Sequence, residues 1–214
     1  MYDCIVMDSE YCSMGRWISV IAGDVLKLKL YEGRDLIALA DEEWLDEAKL
    51  YDFDNSLGDM TAERLREDDE FWRIHAALSK AIKKAVALGP CIIHERAASV
   101  ILRDECKMLR VHLYNTNMTN RIPRAIGDKT YDLEAKSRSE VIDFIKKEDN
   151  KRKVYRDVVE PGSWGVKESY DLCLDSDMLS REKCAEILIT AYKDVEIDLD
   201  HAQEVVRDSF VWSK

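Results

Sequence analysis

Short apolar runs that alternate with helix-like stretches constrain the fold of this chain more than any other feature. The runs lie at Cys4–Met7, Cys91–Ile93, Met108–Tyr114 and Tyr170–Leu174. Such runs are typical of strands buried on both faces of a sheet, although four residues alone do not distinguish a strand from a buried helical turn. Because helix-like stretches separate the runs, the sequence predicts an α/β fold in three layers, with a parallel sheet and helices on both of its faces.

The clearest of the helix-like stretches covers residues 61–88. Its apolar side chains recur at the spacing of a helix face, and Gly89 followed by Pro90 is a strong signal for its end. Similar spacing follows Trp17 as far as Leu28, and a further helix is predicted at Arg181–Tyr192. We find no internal repeat in the chain.

The charge of the chain excludes some classes of protein. It has 32 basic and 43 acidic residues among 214, a formal net charge of −11. A general nucleic-acid-binding protein would need a clustered basic face instead. No run approaches the ~20 apolar residues of a membrane-spanning helix, and the start, MYDCIVMDSE, is acidic where a signal peptide is basic. We therefore expect a cytoplasmic protein without a membrane or nucleic-acid partner.

The cysteines and histidines do not form a metal-binding pattern. The six cysteines are scattered with no pair at CxxC spacing, and the four histidines are isolated. We expect neither a structural metal site nor a disulfide framework.

Charged residues are unevenly distributed along the chain. Residues 41–70 contain 13 acidic and three basic residues, whereas residues 121–156 contain 11 basic and seven acidic residues. Each segment is consistent with a solvated helix face. The alternative is that the basic segment closes over a phosphate ligand and the acidic segment does not.

Five motifs occur along the chain in an order that matches a known family. They are Leu30–Glu32 followed by Asp35–Ile37, Gly89–Ala98, the pair Arg121 and Arg124, Asp149–Tyr155, and Trp164-Gly165 followed by Tyr170–Ser176. They are similar to P-F-Y-D then E-L-I, G-P-C-V-I-V-G-R-C-A, R-x-x-R, D-K-x-R-x-x-Y, and W-G then Y-D-L-x-I-N-[ST]. Over roughly residues 3–193 the chain resembles the bacterial cytidylate kinase-like proteins, a branch of the P-loop nucleoside monophosphate kinases.

This resemblance implies a P-loop NTPase-like domain over residues 1–193 with a helical lid at about 117–160. It also implies transfer of the terminal phosphoryl group of ATP, bound with magnesium, to a nucleoside monophosphate. By the same resemblance, the catalytic cations are Arg16, Arg121, Arg124 and Arg152. The residues expected to bind nucleotide or another phosphate anion are Ser13, Gly15, Arg16, Arg96, Tyr155, Arg156 and Asp171, with Ser13 or Asp8 available for magnesium.

The sequence departs from the family at the phosphate loop. Where the family has S-R-E-Y-G-S-G-G-R-x-I-G, Cys12 and Met14 replace two glycines and Ser19 replaces a third. Glycine matters there because a phosphate cradle needs unusual backbone dihedrals and close approach of amide groups. Trp17 stands where a standard P-loop has a magnesium-binding serine or threonine. Glu95 replaces the glycine of the G-R motif, which predicts a carboxylate near the substrate phosphate.

Two hypotheses about function follow. The chain is either an active nucleotide kinase or a kinase-fold protein that has lost catalysis and serves as a binding or scaffold module. Several candidate residues also have purely structural interpretations, such as sheet-edge capping for Arg96 and core packing for Trp164. Residues 194–214 extend beyond the expected domain, and their apolar residues predict packing on the chain's own core, a homodimer contact or another partner.

Overall fold

The computed structural model describes residues 2–193 and residue 203, so the predicted extension at 194–214 lies outside the described residues apart from that one position. Between residues 2 and 193 the elements, in chain order, are β1 (Cys4–Ser9), α1 (Gly15–Leu26), β2 (Lys29–Tyr31), α2 (Gly33–Ala40), α3 (Glu47–Leu57), α4 (Ala62–Arg66), α5 (Asp69–Ala87), β3 (Cys91–His94), α6 (Ala98–Ile101), β4 (Met108–Tyr114), α7 (Met118–Gly127), α8 (Arg138–Val159), β5 (Leu172–Asp175) and α9 (Arg181–Tyr192). A 3-10 turn at Lys167–Ser169 precedes β5.

The strands form one parallel sheet in the order β2-β3-β1-β4-β5. β1 is central, with Ile5 opposite Ile92 on one side and Leu109 on the other. The predicted parallel sheet is therefore confirmed, and β4 has the predicted bounds. The sequence did not predict β2, which has only three residues and no apolar run of its own.

Helices cover both faces of the sheet, as predicted. Side chains alternate along β1, so Ile5 and Met7 join a core with α1 and α9. Cys4 and Val6 join a larger core on the other face, built mainly from α2 to α6 and the second half of α8. The sheet and its two helical faces therefore form three layers. Among the described residues, no helix is long and apolar enough to cross a membrane.

The predicted single helix at 61–88 is wrong. Two helices, α4 and α5, occupy that stretch, because Asp68 begins a new helix by accepting hydrogen bonds from the backbone amides of Glu70 and Phe71. Apolar spacing continues across the break, which hides it from a periodicity argument.

The lid predicted at about 117–160 covers α7, the whole of α8 and the loop between them. The second half of α8 belongs to the larger core on the sheet, whereas α7, the first half of α8 and the loop surround a small core of their own. Its buried members are Tyr11, Ile122, Ala125, Leu133, Val141 and Ile145. Tyr11 follows β1, so this small core is attached to the sheet at the loop after that strand.

Candidate functional site

The candidate site lies at the carboxyl ends of the central strands. The connection after β1 runs toward β2 and the connection after β4 runs toward β5, so the two diverge between neighbouring strands. Ligands of open parallel α/β sheets bind in the crevice that such a divergence creates. The loop after β1 (residues 10–14, the β1 loop) and the turn after β3 (residues 95–97, the β3 turn) form its floor.

Two adjoining cavities open there. The loop cavity, of about 460 Å³, is lined by the β1 loop, the start of α1, the ends of β2 and β3, and residues of α7 and α8. The inner cavity, of about 160 Å³, lies between α3, the β3 turn and α8. Glu95, Arg96 and Arg152 line both cavities and therefore mark their junction.

The β1 loop keeps a glycine-like backbone without its glycines. Cys12 and Met14 have φ angles of 62° and 72°, in the left-handed region that glycine occupies most easily. At Gly15 an added Cβ would lie 2.6 Å from Cβ and Oγ of Ser9, so only glycine fits. Cys12 and Met14 thus cost backbone strain, of order 1 kcal/mol each, where glycine would cost none.

Arg16 lies in the first turn of α1 and lines the loop cavity. Its Nε donates to Glu32, at 2.9 Å from Oε1, while 71% of the side chain stays exposed. A hydrogen bond with His94 and the charge of Arg16 lower the pKa of Glu32, so that carboxylate is ionised.

Arg96 is held by a carboxylate that the sequence did not indicate. Its two Nη atoms donate to the two carboxylate oxygens of Asp54 on α3, at 2.5 and 2.6 Å. The guanidinium also lies over the ring of Tyr155, 5.7 Å from the centroid. Tyr155 is buried, and its hydroxyl is 3.0 Å from Nδ1 of His75.

Glu95 brings a negative charge to the junction of the cavities, as its place in the sequence predicts. One of its oxygens accepts a hydrogen bond from Nε of Arg152 at 2.7 Å. Burial alone would raise the pKa of Glu95, but the charges of Arg152, His94 and Arg96 lower it to about 2. Glu95 and Arg152 thus form a charged pair at the point where the two cavities meet.

Arg121 and Arg124 hold the β1 loop against α7 and α8. Arg121 is buried, donates to the carbonyl oxygen of Tyr11 at 2.7 and 2.9 Å, and forms an ion pair with Asp149. Arg124 donates to the carbonyl oxygen of Cys12 at 3.0 Å. Both arginines therefore hold the β1 loop in position by binding its backbone carbonyl groups.

Two further candidates have protein partners. Arg156 is buried and donates to Asp8 at 3.0 Å and to Ser99 at 2.6 Å. Asp171 pairs with Arg110 on β4 at 2.7 Å and lines neither of the two cavities described above. The structure thus brings Arg156 to the inner cavity. Asp171 directly precedes β5, at the amino-terminal end of that strand and away from the carboxyl ends where the cavities open.

The residues predicted for magnesium do not fit that role. Ser13 is fully buried, lines neither cavity, and its hydroxyl finds no hydrogen-bond partner among the described residues. Asp8 is buried between Arg156 and the hydroxyl of Tyr170, which is 3.0 Å away, and burial raises its pKa. Trp17 supplies no oxygen. No cluster of three potential metal ligands occurs among the described residues.

Acidic side chains pair with five of the six candidate arginines, and the sixth, Arg124, contacts a backbone carbonyl group. The pairs are Arg16 with Glu32, Arg96 with Asp54, Arg121 with Asp149, Arg152 with Glu95 and Arg156 with Asp8. The lining of the inner cavity contains four acidic and four basic residues, and so does that of the loop cavity. The cleft is therefore formally neutral, which differs from the basic cleft that the sequence predicts.

Both the acidic and the basic segment contribute side chains to the site, so neither is only a solvated helix face. Asp54 pairs with Arg96, Asp59 pairs with Lys147 of α8 at 2.7 Å, and Asn55 accepts from Lys151 at 2.9 Å. The opposite charges of residues 41–70 and 121–156 were the signal for this packing.

Comparisons with known proteins place the chain in a family. The model of the cytidylate kinase-like family matches residues 4–178. An uncharacterized protein from Eubacterium ventriosum has a similar structure, with a TM-score of 0.62 and 18% sequence identity over 88% of this chain and 96% of that one. This likeness concerns the fold alone.

Two more distant structures are kinase-related or bind nucleotides. Shikimate kinase from Acinetobacter baumannii, in complex with shikimate, has a TM-score of 0.47 and 11% identity over 88% of this chain and 92% of that one. YorR from Bacillus subtilis, in complex with phosphorylated GDP, has a TM-score of 0.38 and 15% identity over 93% and 98%. Both TM-scores are below 0.5, too low to show a shared fold. A search of curated proteins gave no match. On the family match over residues 4–178, the chain belongs to the cytidylate kinase-like family.

Proposed function

We propose that this chain is a nucleotide kinase that transfers the terminal phosphoryl group of ATP to a nucleoside-class acceptor. ATP would place its phosphates in the loop cavity, and the acceptor would occupy the inner cavity. Family membership suggests a nucleoside monophosphate as the acceptor. The observation that carries the proposal is the junction, since Glu95, Arg96 and Arg152 line both cavities and two ligands could meet there.

The residues present support distinct roles in such a reaction. Backbone amides at the start of α1, together with Arg16, would hold the phosphates of ATP, because a helix N-terminus attracts anions. Arg152 at the junction would neutralise charge on the transferring group. Tyr51, Asn55 and Tyr131 offer stacking and hydrogen-bonding groups to the acceptor. Transfer of this kind depends mainly on positioning and electrostatics.

A second candidate function is binding without transfer. It is favoured by the ion pairs, because every arginine proposed to hold phosphate already contacts a carboxylate of the chain and is therefore less able to neutralise a transferring phosphoryl group. An unscreened carboxylate about 4 Å from a phosphate repels each unit of its charge by roughly 4 kcal/mol near a protein surface. A ligand phosphate must displace Asp54 or Glu95, and that cost lowers affinity.

The test is a transfer assay combined with a binding assay on the full chain. ATP with magnesium is incubated with each of CMP, UMP, AMP and GMP, and the nucleotides are separated by chromatography. Gly15→Ala serves as the disabled variant, because its Cβ would meet Ser9 at 2.6 Å. Gly127→Ala is the matched control, since a Cβ there would meet nothing within 4 Å.

We expect ADP to form in the wild-type protein and in Gly127→Ala, and to fall at least about 100-fold in Gly15→Ala, since misplacing the reacting groups by about 1 Å costs that much. ATP binding without any ADP formation would support the binding function instead. Absence of ATP binding, measured as a shift of the thermal unfolding midpoint, would contradict both functions.

A further inference from the structure

Glu95 is fixed at the junction of the two cavities by contacts on both sides. Its backbone amide donates to the carbonyl oxygen of Met7 on β1 at 2.7 Å, and its carboxylate accepts from Arg152 through Oε1. The other oxygen, Oε2, accepts no hydrogen bond from residues 2–193. The side chain is 23% exposed, and it lines both cavities. One oxygen is therefore held and the other is free to meet a ligand.

This arrangement opposes a phosphate group on the acceptor. Of the two arginines at the junction, Arg152 is paired with Glu95 and Arg96 is bound by both oxygens of Asp54. A phosphate would therefore meet two carboxylates, and the cations that could neutralise it are already engaged. The same carboxylates do not repel an uncharged acceptor.

A hydroxyl acceptor, in contrast, requires a group like this one. A phosphate oxygen is already ionised and attacks without help, whereas a hydroxyl must lose its proton during transfer. In kinases that phosphorylate hydroxyl groups, a carboxylate accepts that proton. Glu95 is ionised at neutral pH and is paired with Arg152 through Oε1, so Oε2 is the oxygen that can accept the proton.

We propose that the acceptor in the inner cavity reacts through a hydroxyl group and carries no phosphate, and that Glu95 is the general base for its transfer. This inference rests on the phosphoryl transfer proposed above, and it replaces the nucleoside monophosphate suggested there by an unphosphorylated nucleoside or a similar polyol. The acceptor oxygen forms a bond to the γ-phosphorus of ATP as the bond from that phosphorus to the bridging oxygen breaks. ADP leaves with the electron pair, and the hydroxyl proton passes to Oε2 of Glu95.

The test uses cytidine and CMP, a pair of probes that differ only in the phosphate. Binding of each is measured by calorimetry, and transfer from ATP with magnesium to cytidine and to water is measured as ADP release. The variant is Glu95→Gln, which removes the charge and keeps the size of the side chain. Glu105→Gln, which removes a carboxylate from an exposed pair with Lys83 outside both cavities, is the control.

We expect Glu95→Gln to bind CMP about 10-fold more tightly than wild type and to release ADP, with cytidine or water as acceptor, at least about 100-fold more slowly, the range typical of a lost general base. Glu105→Gln should change neither. If CMP binding is unchanged or weaker in Glu95→Gln, the inference is overturned. If CMP binding tightens but wild type releases no ADP with any acceptor, the selection against phosphate stands, while the proposed transfer and the role of Glu95 as its base fail.

Discussion

The β1 loop and the β3 turn follow neighbouring parallel strands, and both have lost glycines that the family retains, yet the consequences differ. Cys12 and Met14 in the first, and Glu95, Arg96 and Ala97 in the second, all have positive φ angles between 53° and 72°. Both turns therefore carry backbone strain. Only the β3 turn adds a charge, because its first residue is a carboxylate that lines both cavities.

This difference shows that the two kinds of lost glycine have different meanings for function. At Cys12 and Met14 the backbone is left-handed without glycine, and the β1 loop still forms the floor of the loop cavity. At Glu95 the backbone is left-handed as well, but this residue adds a carboxylate to the junction, where it pairs with Arg152. Of the two turns, the β3 turn therefore carries the substitution that changes the charge at the junction.

The largest expected effect concerns how the β1 loop is held. Arg121→Ala removes the buried cation that binds the carbonyl oxygen of Tyr11 and pairs with Asp149. Removing one partner of a buried pair costs about 3 kcal/mol or more, because the remaining carboxylate is left uncompensated. The free energy of unfolding, from urea titration, should fall by that amount.

The matched control for Arg121→Ala is Arg110→Ala, whose pair with Asp171 is about one-third exposed on both sides. There the loss should stay under about 1 kcal/mol, as for other solvent-exposed pairs. Equal losses in the two variants would show that Arg121 does not anchor the loop.

Much of the fold could be predicted from the sequence, because buried strands and helices have characteristic spacings of apolar residues. The apolar runs of β1, β3 and β4 show where the sheet lies, and their alternation with helices shows that it is parallel. The break at Asp68 could not be predicted from apolar spacing, since the spacing runs through it.

The candidate site could be predicted only in part. Motif comparison located Arg96, Arg152 and Glu95, and the structure brings these three together. It did not locate Asp54, because a carboxylate that pairs with a distant arginine leaves no local pattern in the sequence.

An intermediate effect concerns the charge of the β3 turn and its response to pH. The pKa of Glu95 is about 2 in the folded protein against an ordinary value of 4.5, because Arg152 and its neighbours favour the ionised form over the effect of burial. A lowered pKa stabilises the fold above the ordinary value, and this stabilisation is lost as the pH falls from about 4.5 to about 2. The ionised form of Glu95 contributes at most about 3 kcal/mol to the free energy of unfolding.

The measurement is the free energy of unfolding of the wild type minus that of Glu95→Gln, at pH 7 and at pH 3. The subtraction cancels the other carboxylates, which titrate in both proteins. The stability advantage of the wild type over Glu95→Gln should be smaller at pH 3 than at pH 7. A difference that does not change with pH would mean that Glu95 is not held ionised by its neighbours in the folded state.

The smallest expected effect tests whether the two turns share the same backbone strain. At Met14 and at Glu95, replacement by glycine should leave the protein more stable than replacement by alanine, by about 1 kcal/mol, because only glycine adopts a positive φ without cost. Comparing glycine with alanine removes the contribution of the original side chain at each position. Val20, on the exposed face of α1, is the control, and there alanine should exceed glycine by about 1 kcal/mol. If the alanine variant is more stable than the glycine variant at Glu95 but not at Met14, the backbone strain lies in the β1 loop alone. The added charge is then the sole cost of losing the glycine after β3.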